Sequence, residues 1–137
     1  MLRASVLLAA LLPVLAACGR QPTAPAGPLR VTPAAAAFAR GPSGAARVPY
    51  TVANTGAGPV GVVQCGPSLN PALERWDGGR WRTYGGGVCP AIYAVVPVPL
   101  APGASRVDTA NVAEAGRYRL VVSVAAGVVP SPAFDVR

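Results

Sequence analysis

Few side chains in this sequence are suited to chemistry. The chain has twelve arginines, five acidic residues and three cysteines, but no histidine and no lysine. Only two of the acids, Glu74 and Asp77, lie close together, beside a turn rich in arginine. Catalysis by a nucleophile with its base, or by a carboxylate pair, needs a spacing that these residues do not offer. We therefore expect no catalytic residue and no cofactor, and a chain that is not an enzyme.

The net charge of +7 at pH 7 favours anionic partners. The arginines stand singly along the chain, however, and do not form the polybasic run that is typical of nucleic-acid binding. Cysteines without histidine do not complete the coordination shell of zinc or copper. We expect neither a nucleic-acid partner nor a metal.

The amino terminus has the three parts of an export signal. Met1–Arg3 is positively charged, Ala4–Val14 is apolar but short for a membrane span, and Leu15–Cys18 ends in small residues before a cysteine. These last four residues resemble the lipobox of bacterial lipoproteins. The resemblance implies cleavage before Cys18 and attachment of lipid to its thiol. The alternative is an ordinary secretory signal, in which Cys18 is incidental.

The resemblance also divides the chain. Residues 1–17 are then the signal peptide, 18–28 a flexible tether that starts at the lipidated Cys18, and 29–137 one folded domain. The residue after the cysteine is Gly19 and not the Asp of inner-membrane retention signals. We expect a lipid-anchored protein of the cell envelope, in the outer membrane if the cell has two membranes.

Cys65 and Cys89 remain once Cys18 carries lipid, and an even pair in an exported domain usually forms a disulfide. The bond closes a loop of about 24 residues and stabilises the fold by about 3 kcal/mol in the chain-entropy model. Neither cysteine belongs to a C-x-x-C pair, so thiol redox chemistry is not expected. The disulfide should hold the open end of a hairpin centred on Asp77.

Short apolar runs separated by Gly and Pro clusters fill the rest of the chain. The alternation of Val48, Tyr50 and Val52 is typical of a strand with one buried face. The predicted strands are 29–32, 47–54, 60–65, 73–76, 80–84, 93–100, 105–112, 116–124 and 134–136. We interpret residues 56–61 as a hairpin loop. Tyr118, at the start of a strand, is placed like a tyrosine corner whose hydroxyl bonds to the preceding loop.

The strand count and spacing predict an all-β fold, an immunoglobulin-like antiparallel β-sandwich of seven to nine strands; a small barrel is the competing architecture. From Val48 onward the chain resembles small exported bacterial domains of this kind. The shared features are the strand end at 52–56, the hairpin at 73–81, the turn at 99–103 and the strand start at 116–120. The order of elements is also similar to a family of intracellular proteinase inhibitors from bacilli. Neither resemblance implies catalytic or binding residues.

The hairpin is the candidate surface for binding a partner. Its residues Arg75, Trp76, Arg80, Arg82 and Tyr84 combine charge with aromatic rings, as in contacts with glycans or proteins. Alternation lets Trp81 enter the core while Tyr84 and the arginines point outward. The other interpretation is that both tryptophans pack on the sandwich and the arginines only solubilise it, which we favour because the domain has few large residues for its core.

These patterns predict a lipid-anchored, non-catalytic domain that binds or positions another envelope component, a protein or a glycan. The alternative prediction is a proteinase-inhibitor-like domain that acts on an envelope or extracellular protease through an exposed loop or edge. A purely structural subunit is a further possibility.

Overall fold

Residues 27–137 are described by a computed structural model, and they form eleven β-strands. In chain order these are β1 (Leu29–Pro33), β2 (Ala37–Phe38), β3 (Ala46–Asn54), β4 (Val60–Cys65), β5 (Ala72–Trp76), β6 (Trp81–Gly86), β7 (Val95–Leu100), β8 (Ser105–Val112), β9 (Gly116–Val124), β10 (Gly127–Pro130) and β11 (Phe134–Val136). Within this part of the chain no helix is long and apolar enough to cross a membrane. The predicted signal peptide, with Cys18 and nearly all of the tether, lies outside the described residues.

The strands form two packed sheets. The smaller sheet has three antiparallel strands in the order β1-β3-β8. The larger sheet has eight strands along the path β2-β11-β9-β4-β7, with β10 and the β5–β6 hairpin joined to it through β9. Among the described strands only β2 and β11 pair in parallel. The predicted all-β sandwich, mostly antiparallel, is therefore confirmed.

Each sheet is built around one strand whose side chains alternate between the core and the outside. In β3, the predicted residues Val48, Tyr50 and Val52 are at most 1% exposed. In β9, Tyr118 and Leu120 are fully buried on the facing sheet. Burying a side chain of this size stabilises the fold by about 1.5–3 kcal/mol, so these two alternating rows supply much of the free energy of folding.

The strand connections differ from the prediction in two places. The two-residue strand β2 and the strand β10 raise the count to eleven, above the predicted seven to nine. The predicted hairpin loop 56–61 is a crossover instead: residues 55–59 join β3 of the smaller sheet to β4 of the larger one, which begins at Val60. The reason is that β1 and β8 already pair with the two edges of β3.

Candidate functional site

The predicted hairpin is present at one end of the larger sheet. β5 and β6 pair antiparallel as far as Trp76 and Trp81, which lie directly opposite each other. In the turn, the backbone N–H of Asp77 donates to the carbonyl oxygen of Arg80 over 3.0 Å. Gly78 has φ of 60°, a conformation that suits glycine in tight turns. The sequence signal for this hairpin was correct.

The hairpin turns Tyr84 and not Trp81 toward the core. The Tyr84 ring packs on the buried Tyr118 ring, with centroids 5.1 Å apart. Trp81 is half-buried on the opposite face and lies outside the core cluster. The prediction that Trp81 fills the core and Tyr84 points outward is wrong. Alternation places the two rings on opposite faces, but the pairing of Arg75 with Tyr118 across β5 and β9 decides which face is inside.

Arg75 braces the fold at this end. Its guanidinium donates to Glu114 Oε2 over 2.7 Å and to the Ala115 carbonyl oxygen over 3.0 Å. It also lies 5.8 Å from the Tyr118 ring centroid and 5.9 Å from that of Tyr84, within range for cation–π attraction. Arg75 and Tyr84 therefore serve the packing of the domain, although the Arg75 side chain stays 40% exposed.

The predicted tyrosine corner is confirmed. The Tyr118 hydroxyl donates to the Glu114 carbonyl oxygen over 3.1 Å, in the loop that precedes its own strand. Burial, reinforced by Tyr84, raises the pKa of Tyr118 to about 12. The phenol therefore keeps its proton at neutral pH and remains a hydrogen-bond donor.

The two tryptophans form an aromatic pair on the outer face of the hairpin. Their ring centroids are 5.2 Å apart with planes at 62°, an edge-to-face contact. The Arg119 guanidinium lies 4.7 Å from the Trp81 ring centroid, and its Nε donates to Glu74 Oε2 over 2.6 Å. Trp76 is 41% exposed, so this pair presents one partly free ring.

The last two predicted binding residues lie near the hairpin tip. Arg82 Nε is 2.6 Å from Asp77 Oδ2, in an ion pair that is exposed on both sides. The Arg80 side chain is exposed and has no ion-pair partner within residues 27–137. Of the five predicted residues, Trp76, Arg80 and Arg82 are thus exposed, whereas Arg75 and Tyr84 are held by the fold.

A second exposed surface, which the sequence analysis did not single out, lies beside the disulfide. The predicted bond between Cys65 and Cys89 is present, with 5.5 Å between the Cα atoms. It ties the segment between β6 and β7 to the end of β4. We call the exposed apolar residues of this region the apolar loop patch: Val88, Ile92, Tyr93, Val95 and Val96.

Three further contacts fix the apolar loop patch. Asn70 Nδ2 donates to the Val88 carbonyl oxygen over 2.7 Å. The backbone N–H of Tyr93 donates to the Pro90 carbonyl oxygen over 2.9 Å and closes a turn. The Tyr93 ring lies directly on the backbone of Gly66, where a Cβ atom would be 2.8 Å from a ring carbon. The patch is therefore both exposed and held in place.

The platform under the patch is the loop 66–70, and Asp108 of the smaller sheet anchors that loop. Asp108 Oδ2 accepts from the Ser68 hydroxyl and the Leu69 backbone N–H, each over 2.8 Å, and from the Tyr50 hydroxyl over 3.3 Å. Burial raises the pKa of Asp108, but the hydrogen bonds from Leu69, Thr109, Ser68 and Tyr50 lower it further, so the net shift is downward. Burial also raises the pKa of Tyr50. The carboxylate is thus a charged acceptor at neutral pH.

The strand β7, which begins with Val95 and Val96 of the patch, is protected against further strand pairing. Within the part of the chain that the structure describes, β7 pairs only with β4. Pro97 and Pro99 lie in β7 and have no backbone N–H. Prolines on an edge strand disfavour the addition of another strand. We therefore expect contact at this surface to come through side chains.

The sequence carried a signal for this patch, in the apolar run of residues 91–96 after Cys89. We interpreted it as part of a strand, because a buried strand and an exposed apolar segment have the same composition. Exposure of this run depends on β7 being an edge strand. That position is set by the pairing of β7 with β4, a strand far away in the sequence.

No group of three or more His, Cys, Asp or Glu within residues 27–137 could hold a metal ion.

Comparison with known proteins gives little further information. No protein-family model matches this chain, and no curated protein matches it. Among solved structures, it is similar to a β-glucosidase from Listeria innocua in complex with gluconolactone, with a TM-score of 0.36 and 15% sequence identity. The match covers 79% of this chain and 16% of the glucosidase chain. This chain therefore spans a small part of the length of that enzyme.

Proposed function

We propose that this chain is a lipid-anchored, non-catalytic domain of the cell envelope that binds another envelope protein through the apolar loop patch. The observation that carries the proposal is the exposure of Val88 and Ile92, at 81% and 84%, on a segment that a disulfide fastens to the sandwich. Apolar side chains in water raise the free energy of a free domain, and a segment that exposes several of them favours a contact site.

The way the loop is held favours binding. A loop that is ordered before it meets its partner loses little conformational entropy on association. The Asn70 amide, the turn from Pro90 to Tyr93 and the disulfide supply that order. The exposed side chains are mostly aliphatic, so they suit the apolar side chains of a protein better than the hydroxyl groups of a glycan.

The anchoring part of the proposal rests on the sequence at Leu15–Cys18. A thiol immediately after small residues, at the end of an apolar segment, is where a lipoprotein signal ends. Intact-mass analysis of the membrane fraction should show a chain that begins at Cys18 and carries acyl groups. Cys18→Ala should abolish both features. A mature chain that begins elsewhere without acyl mass would contradict the anchor.

Photo-crosslinking in the native host tests the binding surface. A photoreactive amino acid takes the place of Ile92 in the full chain and, as the matched control, of Val107, which is 69% exposed on β8. We expect a discrete crosslinked protein from position 92 and not from position 107. A second substitution, Val88→Glu, should reduce the yield at position 92 several-fold, whereas Val107→Glu should leave it unchanged.

The same variants should have nearly unchanged melting temperatures, because exposed substitutions outside special features usually change stability by less than about 0.5 kcal/mol. A lost crosslink is then a lost contact and not a lost fold. Equal crosslinked products and yields from positions 92 and 107 would refute binding through the apolar loop patch.

A second candidate function, inhibition of a protease, is favoured by the shape of the same segment. The turn from Pro90 to Tyr93 next to Cys89 presents Ile92 on a braced loop, as a segment that enters a protease cleft must be. Assay of the full chain against serine, cysteine and metalloproteases tests this function. Inhibition that is lost in Ile92→Glu and kept in Val107→Glu would establish it. If the chain inhibits none of these proteases, only the proposal of binding to an envelope protein remains.

A further inference from the structure

Within residues 27–137, the connecting segments at one end of the sandwich contain no charged residue. These segments are 27–28, which precede β1, the crossover 55–59, the β7–β8 loop 101–104 and the β9–β10 turn 125–126. All their residues are Gly, Pro, Ala or Thr. We call this surface the uncharged end.

The uncharged end is built by one buried amide. Asn54, which is 1% exposed, donates through Nδ2 to the Gly58 and Leu100 carbonyl oxygens over 2.7 and 2.8 Å. Its Oδ1 accepts from the Gly56 backbone N–H over 2.9 Å, and its backbone carbonyl oxygen accepts from Gly103 over 2.9 Å. The crossover and the β7–β8 loop are therefore both fixed to Asn54 at the same end of the sandwich.

An apolar groove of about 450 Å³ opens beside these loops. Gly27 and Pro28 line it together with Pro59, Ala125 and Ala126. Small apolar side chains in such a groove interact weakly with water. They carry no charge that would lose its water of hydration on contact with a lipid surface.

Two arginines lie just behind the uncharged end. Arg30 and Arg106 lie opposite Ala53 and Val52, one and two residues from the Asn54 end of β3, and both are positive. The other end of the strands carries charges of both signs: the acids Asp77 and Glu114, and arginines of the hairpin that include Arg80 and Arg82. An uncharged tip with arginines behind it is complementary to the anionic surface of a bilayer.

We infer that the uncharged end is the surface on which this domain rests against an anionic bilayer, an inference that depends on the proposed lipid anchor at Cys18. Cys18 precedes Gly27 by nine residues, and nine extended residues reach at most about 30 Å. The chain leaves the domain at the uncharged end itself. The anchor therefore brings this end closest to the lipid and directs the opposite, charged end outward.

Fluorescence quenching in vesicles tests the orientation. The full acylated chain is reconstituted in phosphatidylglycerol vesicles. An environment-sensitive fluorescent amino acid replaces Ala126 at the uncharged end. In the control it replaces Ser43, in the β2–β3 loop at the opposite end. Lipids spin-labelled in the headgroup serve as quenchers. We expect several-fold stronger quenching at position 126 than at position 43.

A charge variant provides the matched comparison. Ala57→Asp combined with Ala101→Asp places two negative charges on the uncharged end and should release the quenching at position 126, while Ser43→Asp should not. Equal quenching at positions 126 and 43 in an acylated chain overturns the orientation and leaves the anchor standing. Absence of acyl mass on the purified chain overturns both.

Discussion

The carboxylate of Asp108 shows how one residue connects two parts of this domain. It lies on β8 of the smaller sheet, yet the Ser68 hydroxyl and the Leu69 N–H that it accepts belong to the loop beneath the apolar loop patch. Charge-assisted hydrogen bonds of this kind are stronger than neutral ones. The position of the patch therefore depends on a charge in the opposite sheet.

Substitution of Asp108 by Asn should change the pH dependence of stability. Because the pKa of Asp108 is lower in the folded chain than its ordinary value of about 3.9, the ionised group stabilises the fold above about pH 4. That contribution is lost as the pH falls through the lower, folded pKa. We expect Asp108→Asn to be less stable than wild type at pH 7, with a difference that shrinks toward zero on acidification.

Denaturant titrations at pH 7 and in steps below pH 4 measure this difference, which isolates Asp108 because the other acids are common to both proteins. Asp77→Asn, in the exposed ion pair at the hairpin tip, is the control and should stay within about 0.5 kcal/mol of wild type. A stability difference for Asp108→Asn that does not depend on pH would show that the charge is not what matters.

At the scale of the strands, the alternation of apolar residues predicted the core strands but not their partners. β3, β8 and β9 match their predicted ranges within a residue, since β3 has one wholly buried face and β8 and β9 each have one face that is mostly buried or half-buried. The partners of the strands could not be predicted in this way, because they depend on which strand edges are free. β4 leaves β3 for the larger sheet because both edges of β3 are occupied, and no local pattern records that.

The candidate sites were predictable to a similar degree. The cysteine count predicted the disulfide, and the Asp-Gly-Gly turn predicted the hairpin, because both signals are local. The inner face of the hairpin was assigned wrongly, since only the register of β5 against β9 places Tyr84 inside. The apolar loop patch was missed because the exposure of Ile92 is a property of the assembled sheet edge.

Removal of the disulfide should loosen the elements that it encloses. Cys65 and Cys89 are 24 residues apart, so replacing both by Ser should lower the free energy of unfolding by about 3 kcal/mol, through a larger conformational entropy of the unfolded chain. The β-type circular dichroism at low temperature should remain. Denaturation of the double variant measures the loss.

Reduction of the wild-type disulfide is the control, because it should give the same loss without any substitution. Hydrogen exchange should also increase in the segment around Ile92 more than in β9, since the bridge is one of the contacts that fix that segment. An unchanged free energy of unfolding in both experiments would contradict the expected role.

Across the whole molecule, each end of the sandwich is closed by one buried polar side chain that bonds to backbone. At the uncharged end, the Asn54 amide joins β3 of the smaller sheet to Leu100 of the larger one. At the charged end, the Tyr118 hydroxyl joins β9 to the loop that arrives from β8. Hydrophobic burial drives the two sheets together without direction, so these bonds fix how the sheets meet.

The two closures should act independently. Asn54→Ala leaves buried backbone groups without partners and should lower the free energy of unfolding by about 2–4 kcal/mol, whereas Tyr118→Phe removes one hydrogen bond and should cost about 1 kcal/mol. Val124, at the uncharged end, lies six positions after Tyr118 in β9, a distance of about 20 Å. Sites so far apart add within about 0.5 kcal/mol.

A double-mutant cycle by chemical denaturation measures this additivity, with Asn111→Ala on the exposed face of β8 as a control that should change stability by less than about 0.5 kcal/mol. Additive losses mean that the two closures are not energetically coupled in the folded domain, so a change at one end does not weaken the bonds at the other. A coupling energy above about 1 kcal/mol would instead show that the two closures depend on each other through the core between them.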